Sequence, residues 1–251
     1  MRKLVPYIFA LSLFVLSVCK LSAQTTDKKE KYPFVYVCSS VQIPGGDLKD
    51  RFGTSFDIGG GLGYKFKSNI ILGIESTYIF GNDVKENPLE GLLNQFNQIT
   101  NMYGEISDIT MRQDGLQIKA TAGKIFPVFG SNQNSGIYLR GSFGFLQHKI
   151  YIENQGNNTP QVLDDYRKGY DRLCNGLMVS EFVGWQNFSS KSAMHFLIGF
   201  EISQAWTQNR RSWDFATNQK IDAQRLDLLY TFKIAYYIPF YKREATNYFY
   251  Y

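Results

Sequence analysis

The chain has 251 residues, 44% hydrophobic and 16% aromatic, with 17 Tyr, 20 Phe and a formal net charge of +5. Taking residues 1–23 as a leader removes Arg2, Lys3 and Lys20 and no acid, which leaves +2 on the mature chain. So small a balance, with no basic run to follow a phosphate backbone, argues against nucleic acid as a partner, and no apolar stretch of about 18 residues follows the leader, which excludes a spanning helix.

Arg2 and Lys3 open the chain and Leu4 to Val18 form an apolar run, the layout of an export leader. Leu21-Ser22-Ala23 supplies a cleavage site that leaves Gln24 first. A second reading stays open, because Cys19 is placed like a lipid-anchored cysteine, although Val18 stands where such signals carry a small residue. Residues 24–33 read as a short periplasmic lead-in.

The next segments alternate apolar and polar residues, the signature of strands with one greasy face. A short strand runs from Phe34 to Ile43. Phe56, Ile58, Leu62, Tyr64 and Phe66 alternate with Asp57, Gly59, Gly61, Gly63 and Lys65. After a turn at 67–69, Ile70, Leu72, Ile74, Tyr78 and Phe80 alternate with Gly73, Glu75 and Thr77. Less regular strands follow at 115–126, 137–147 and 173–187, the last apolar on both faces and so of open register. Phe196, Ile198, Phe200 and Ile202 mark a seventh strand. Leu226, Leu228, Tyr230, Phe232, Ile234, Tyr236, Ile238 and Phe240 mark the eighth and most regular.

These segments predict an all-β, antiparallel up-and-down transmembrane β-barrel of about eight strands over 34–240. The connections 44–53, 82–114, 153–172 and 207–223 are the long ones and alternate with 67–69, 127–136 and 188–192, although 127–136 is only as short as 44–53. Short periplasmic turns and long external loops are the expected arrangement. The apolar set then faces lipid. The polar set of glycines and single charges lines a narrow lumen, where Asp57, Lys65, Glu75, Lys119, Arg140, Glu201 and Lys233 form a structural charge network. Cys38 and Cys174 are expected as isolated thiols packed in strands, although an exported chain also permits a disulfide. No Cys/His spacing points to a metal, and no cofactor is expected.

In the loop 82–114, Asn87-Pro88-Leu89-Glu90 reads as a helix start. Leu89, Leu92, Leu93, Phe96 and Ile99 recur at helical spacing, so one external helix is expected, lying on the barrel mouth, the outer leaflet or a partner. Arg210, Arg211, Trp213 and Phe215 share the last loop and are candidates for binding a partner or lipopolysaccharide phosphate. Loop 153–172 carries Asp164, Asp165, Arg167, Lys168, Asp171 and Arg172, whose alternating signs predict local pairing. No catalytic residue is assigned. His148 is the one base near the outer rim and His195 lies by a periplasmic turn, neither within a nucleophile motif. Glu75 and Glu201 are better explained by salt bridges to Arg140, Lys119 or Lys233 than by acid–base chemistry. The tail 241–251 ends in Tyr248-Phe249-Tyr250-Tyr251, a candidate periplasmic handle for a partner protein.

The alternating strands, the Phe56–Phe80 hairpin and the aromatic last strand make the chain similar to small barrels of the OmpA/OmpX type. It resembles most the outer-membrane barrels of Bacteroidota, some of which (PorG, PorT) belong to type IX secretion machinery. The resemblance covers residues 33–240 and carries over no functional residue. It implies an outer-membrane location, contact with outer-membrane lipid, and insertion by the β-barrel assembly machinery. It also implies a non-enzymatic role as a structural or assembly component, with a narrow porin, a surface receptor or, last, a lipid-A-modifying enzyme as alternatives.

Overall fold

The computed structural model describes residues 29–128, 132–188 and 194–240. The leader and the aromatic tail lie outside the described residues. Eight strands follow one another: β1 Tyr32–Gly46, β2 Ser55–Lys65, β3 Ile70–Gly81, β4 Ile109–Phe126, β5 Gly136–Asn154, β6 Cys174–Asn187, β7 Phe196–Asn209 and β8 Gln224–Pro239. Each pairs antiparallel with the next and β1 pairs with β8, so the sheet closes and leaves no edge.

The register fixes the shape. A row of paired residues leaves Tyr237 on β8 and passes through Tyr36, Gly61, Glu75, Lys119, Gly144, Met178 and Ala205. It returns to β8 at Asp227, ten residues from its start. That stagger over eight strands gives a tilt of about 40° at ~3.3 Å per residue and ~4.8 Å between strands.

The period-two pattern decides which side is which. Exposed and buried positions alternate along β1, β3, β7 and β8. The exposed set is apolar: Val37 is 61% exposed, Ile58 58% and Phe200 61%. The buried set contains most of the charges. A soluble barrel would reverse this, since burial of an unpaired charge costs far more than exposure of a valine. β6, whose register the sequence left open, turns Met178, Ser180 and Phe182 inward and Leu177, Val179 and Val183 outward.

The interior is filled in layers. At the end carrying the short turns, Tyr32, Phe34, Tyr36, Tyr138, Phe182, Phe188 and Tyr237 form an aromatic plug. Phe34 and Tyr36 both lie on the Tyr237 ring, at 5.1 and 4.7 Å between centroids. At the long-loop end, Leu48, Phe52, Leu89, Leu146, Ile150, Val162 and Met178 belong to a second apolar cluster. The charged layer lies between. Gly61 makes room for it: a Cβ there would stand 2.6 Å from the Tyr36 ring.

Three expectations are corrected. β4 and β5 reach beyond 115–126 and 137–147, because Ile109, Met111, Ile150 and Ile152 continue the inward set past Arg112, Asp114 and Lys149. The helix expected from Leu89 to Ile99 is a single 3-10 turn, Glu90–Leu92. Asparagine chemistry ends it: Asn94 Oδ1 accepts from the Phe96 and Gln98 amides, and Asn97 sits at φ 62°. Leu89, Leu92 and Ile99 still cap the barrel mouth, whereas Phe96 is 71% exposed. Among the described residues the α-helix is α1, Leu48–Arg51, in the first long connection, where no helix was expected.

Candidate functional site

Five of the seven lumen charges meet at one level. Glu75 comes from β3, Lys119 from β4, Arg140 from β5, Glu201 from β7 and Lys233 from β8, and none is more than 4% exposed. Glu75 Oε1 lies 3.1 Å from Lys119 Nζ and 2.5 Å from Lys233 Nζ. Its Oε2 accepts from Arg140 Nη1 at 3.0 Å and from the Tyr36 hydroxyl at 2.9 Å. Glu201 pairs with Lys119 and Arg140, and Lys233 Nζ stands 3.7 Å from it. The Arg140 guanidinium lies on the Phe182 ring, 4.9 Å from its centroid. Every charge thus has more than one partner, which is what a buried ionic cluster needs to offset desolvation.

The other two lumen charges lie apart. Asp57 sits one layer nearer the loops, where Oδ2 accepts from Gln42 Nε2 at 2.6 Å. Its Oδ1 has no partner, nor do Ser40 Oγ, Gln42 Oε1, Gln117 Nε2 and Ser180 Oγ. With Asp57 added, the cluster and the layer above it set the acids Asp57, Glu75 and Glu201 against the bases Lys119, Arg140 and Lys233. Lys65 lies in the aromatic plug, donates to the Glu30 carbonyl at 3.0 Å and Asn134 Oδ1 at 2.8 Å, and stands over the Tyr32 ring.

Nearer the mouth, His148 Nε2 lies 2.9 Å from Asp227 Oδ2, and the Thr207 hydroxyl donates to the same oxygen at 2.5 Å. The Phe52 ring closes over His148, edge to face at 5.7 Å. Cys174 is the register partner of His148 and accepts from Arg51 Nη1 at 3.2 Å. His148 and Cys174 are 1% and 0% exposed, so a base and a thiol share this corner but no solute reaches them. Cys38 and Cys174 are both free and buried.

The external loops are joined by charge pairs that the sequence does not reveal. Arg51, on α1, pairs with Glu86 at 2.7 Å. Glu86 also holds Arg172, and Arg172 Nε lies 3.0 Å from Asp214 Oδ2. One chain of charges thereby links all four long connections. Local pairing in 153–172 holds for Lys168 and Asp165, but Asp171 and Arg172 reach other loops. Sequence spacing carries no trace of partners so far apart in the chain. Burial lowers the pKa of Arg172, with Asp214 opposing.

The three arginine and tryptophan candidates of the last loop separate. Arg211 is committed to Asp171, its Nε donating at 2.8 Å, and that hydrogen bond holds its guanidinium above the usual arginine value. Arg210 is exposed and donates to Asn175 Oδ1 at 2.5 Å. Trp213 is 46% exposed beside it. Tyr248, Phe249, Tyr250 and Tyr251 lie outside the described residues. Among the described residues no group of His, Cys, Asp and Glu is placed to hold a metal ion.

No protein-family model matches the chain, and no curated protein matches it. Solved structures with a similar course of the chain are small barrels. Neisserial surface protein A is 8% identical, covering 82% of this chain and 98% of its own, at a TM-score of 0.43. The attachment invasion locus protein Ail of Yersinia pestis is 10% identical, covering 83% and 99%, at 0.43. The outer membrane protein OprG of Pseudomonas aeruginosa is 9% identical, covering 85% and 99%, at 0.36.

Proposed function

We propose that this chain is a non-enzymatic outer-membrane barrel with a sealed lumen, acting as a structural or assembly component through the surface its external loops present. The observation that carries the reading is the filled interior. An aromatic plug, a five-residue ionic cluster and an apolar cap under α1 succeed one another along the axis. A pore would need a continuous polar path, and among the described residues the buried aromatic plug and the apolar cap stand across it. The exposed apolar wall supports residence in lipid, because hydrocarbon is the solvent in which it costs least. The regular aromatic β8 suits recognition by the β-barrel assembly machinery.

The reading against enzyme activity rests on the same burial. Glu75 and Glu201 are held by three cations, and His148 is shut beneath Phe52. A surface-receptor reading has one observation of its own. Arg210, Trp213 and Phe215 stand exposed on a loop that the Arg172 chain holds in place. A secretion-machine role would work through the tail, and pull-downs with and without residues 241–251 test it; unchanged partners would remove it. Single-channel recording in planar bilayers tests the sealed lumen. The expected trace shows insertion without steady conductance, and large stable currents would overturn the reading.

A further inference from the structure

The outward face of β6 reads Leu177, Val179, Glu181, Val183, Trp185. Glu181 is exposed at the centre of that row, with two apolar residues on each side. At ~3.3 Å per residue and a tilt of about 40°, each side is about 10 Å of apolar wall. Its register partners, Gly141 on β5 and Ile202 on β7, also face outward. Glu181 has no hydrogen bond or ion pair among the described residues. A carboxyl group in hydrocarbon with nothing to bond is costly, charged or neutral. Inside the barrel this chain surrounds Glu75 with four donors. The lone outward carboxyl at mid-depth stands against that pattern. Beside it, a Cβ built on Gly141 meets nothing within 4 Å, so an open notch adjoins the carboxyl. Small residues of this kind let surfaces approach closely within a membrane.

We propose that the β5–β6 wall is where two copies of this chain meet side by side, with Glu181 of each hydrogen-bonded to Glu181 of the other. The proposal rests on the membrane-embedded reading above. Two copies inserted in the same sense are related by an axis along the membrane normal, so each residue meets its counterpart at its own depth. An axis beside Glu181 therefore brings the two carboxyl groups together by symmetry alone. Two protonated carboxyl groups satisfy each other, each O–H donating to the other's carbonyl oxygen, and the pair leaves no net charge in hydrocarbon. The notch at Gly141 supplies the approach the pair needs.

The test uses the full chain, labelled with donor or acceptor dye on an external loop and reconstituted at high dilution in phospholipid vesicles. Wild-type copies should show energy transfer above the level of random encounter. Glu181→Leu should weaken the pairing at least tenfold. Glu181→Lys alone should pair no better than Glu181→Leu, whereas mixed with wild type it should restore or exceed wild-type transfer. Heat-dependent gel migration checks that each variant is folded. Wild-type transfer at the random level would overturn the proposal, as would full pairing by Glu181→Leu. A cationic membrane partner in place of a second copy gives the first of those results. Protein that does not float with the vesicles would instead overturn the membrane reading, and this proposal with it.

Discussion

Glu75→Gln is the sharpest perturbation of the interior. The substitution keeps the shape and removes one negative charge from a group that touches Lys119, Arg140 and Lys233 at 3.1, 3.0 and 2.5 Å. The cluster then holds three cations against Glu201 alone, in a space where Glu75 itself is 0% exposed. Leaving a buried ion uncompensated costs about 3–5 kcal/mol, or roughly 10²- to 10⁴-fold in the folding equilibrium. Glu153→Gln is the control. Its partner Arg112 lies 3.1 Å away, but both side chains are 43% exposed, and such a pair contributes only about 0–1 kcal/mol. Adding Lys233→Met to Glu75→Gln restores the charge balance, so the double variant should recover at least half of the loss. The assay is reversible urea unfolding in lipid vesicles, followed by tryptophan fluorescence. Equal midpoints for Glu75→Gln and Glu153→Gln, or no recovery in the double variant, would refute the claim that the cluster is held by mutual neutralisation.

Further expectations follow from particular contacts. Gly61→Ala should cost about 1–3 kcal/mol by overpacking against the Ile74 carbonyl and the Tyr36 ring, whereas Gly141→Ala, at an open position, should unfold within about 0.5 kcal/mol of wild type; the same urea titration distinguishes them. Arg172→Ala should disconnect Glu86 from Asp214, so protease should cut the loops at 82–108 and 155–173 at least tenfold faster while the barrel core stays resistant. Cys38 and Cys174, at 4% and 0% exposure, should react with maleimide only after unfolding; labelling of the folded protein would contradict their placement.

Much of the fold was legible because the strands obey one period. The run from Leu226 to Phe240 announces β8, and Gly59, Gly61 and Gly63 opposite Phe56, Ile58 and Leu62 announce a crowded inner face on β2. Five of the seven expected lumen charges meet because each is an inward position that the stagger between strands brings to one depth. Asp57 and Lys65 have the same parity but other depths, and depth depends on the stagger between strands, which no single strand encodes. The helix expected after Pro88 failed for a local reason, since Asn94 and Asn97 offer their own turns to the backbone. The Arg51–Glu86–Arg172–Asp214 chain was illegible because its members are far apart in sequence and each sits in a charged, irregular stretch. Glu181 was hidden for a different reason. With apolar residues on both faces of 173–187, its side could not be assigned until the pairing with β5 and β7 was known.

Which face of the sheet meets hydrocarbon decides everything else, and β8 allows that to be measured residue by residue. Spin labels placed singly at 230–236 in protein folded into lipid vesicles report accessibility to oxygen, which partitions into the bilayer. High accessibility is expected at 230, 232, 234 and 236 and low accessibility at 231, 233 and 235. The opposite phase, or a folded protein that stays dissolved without lipid or detergent, would contradict it.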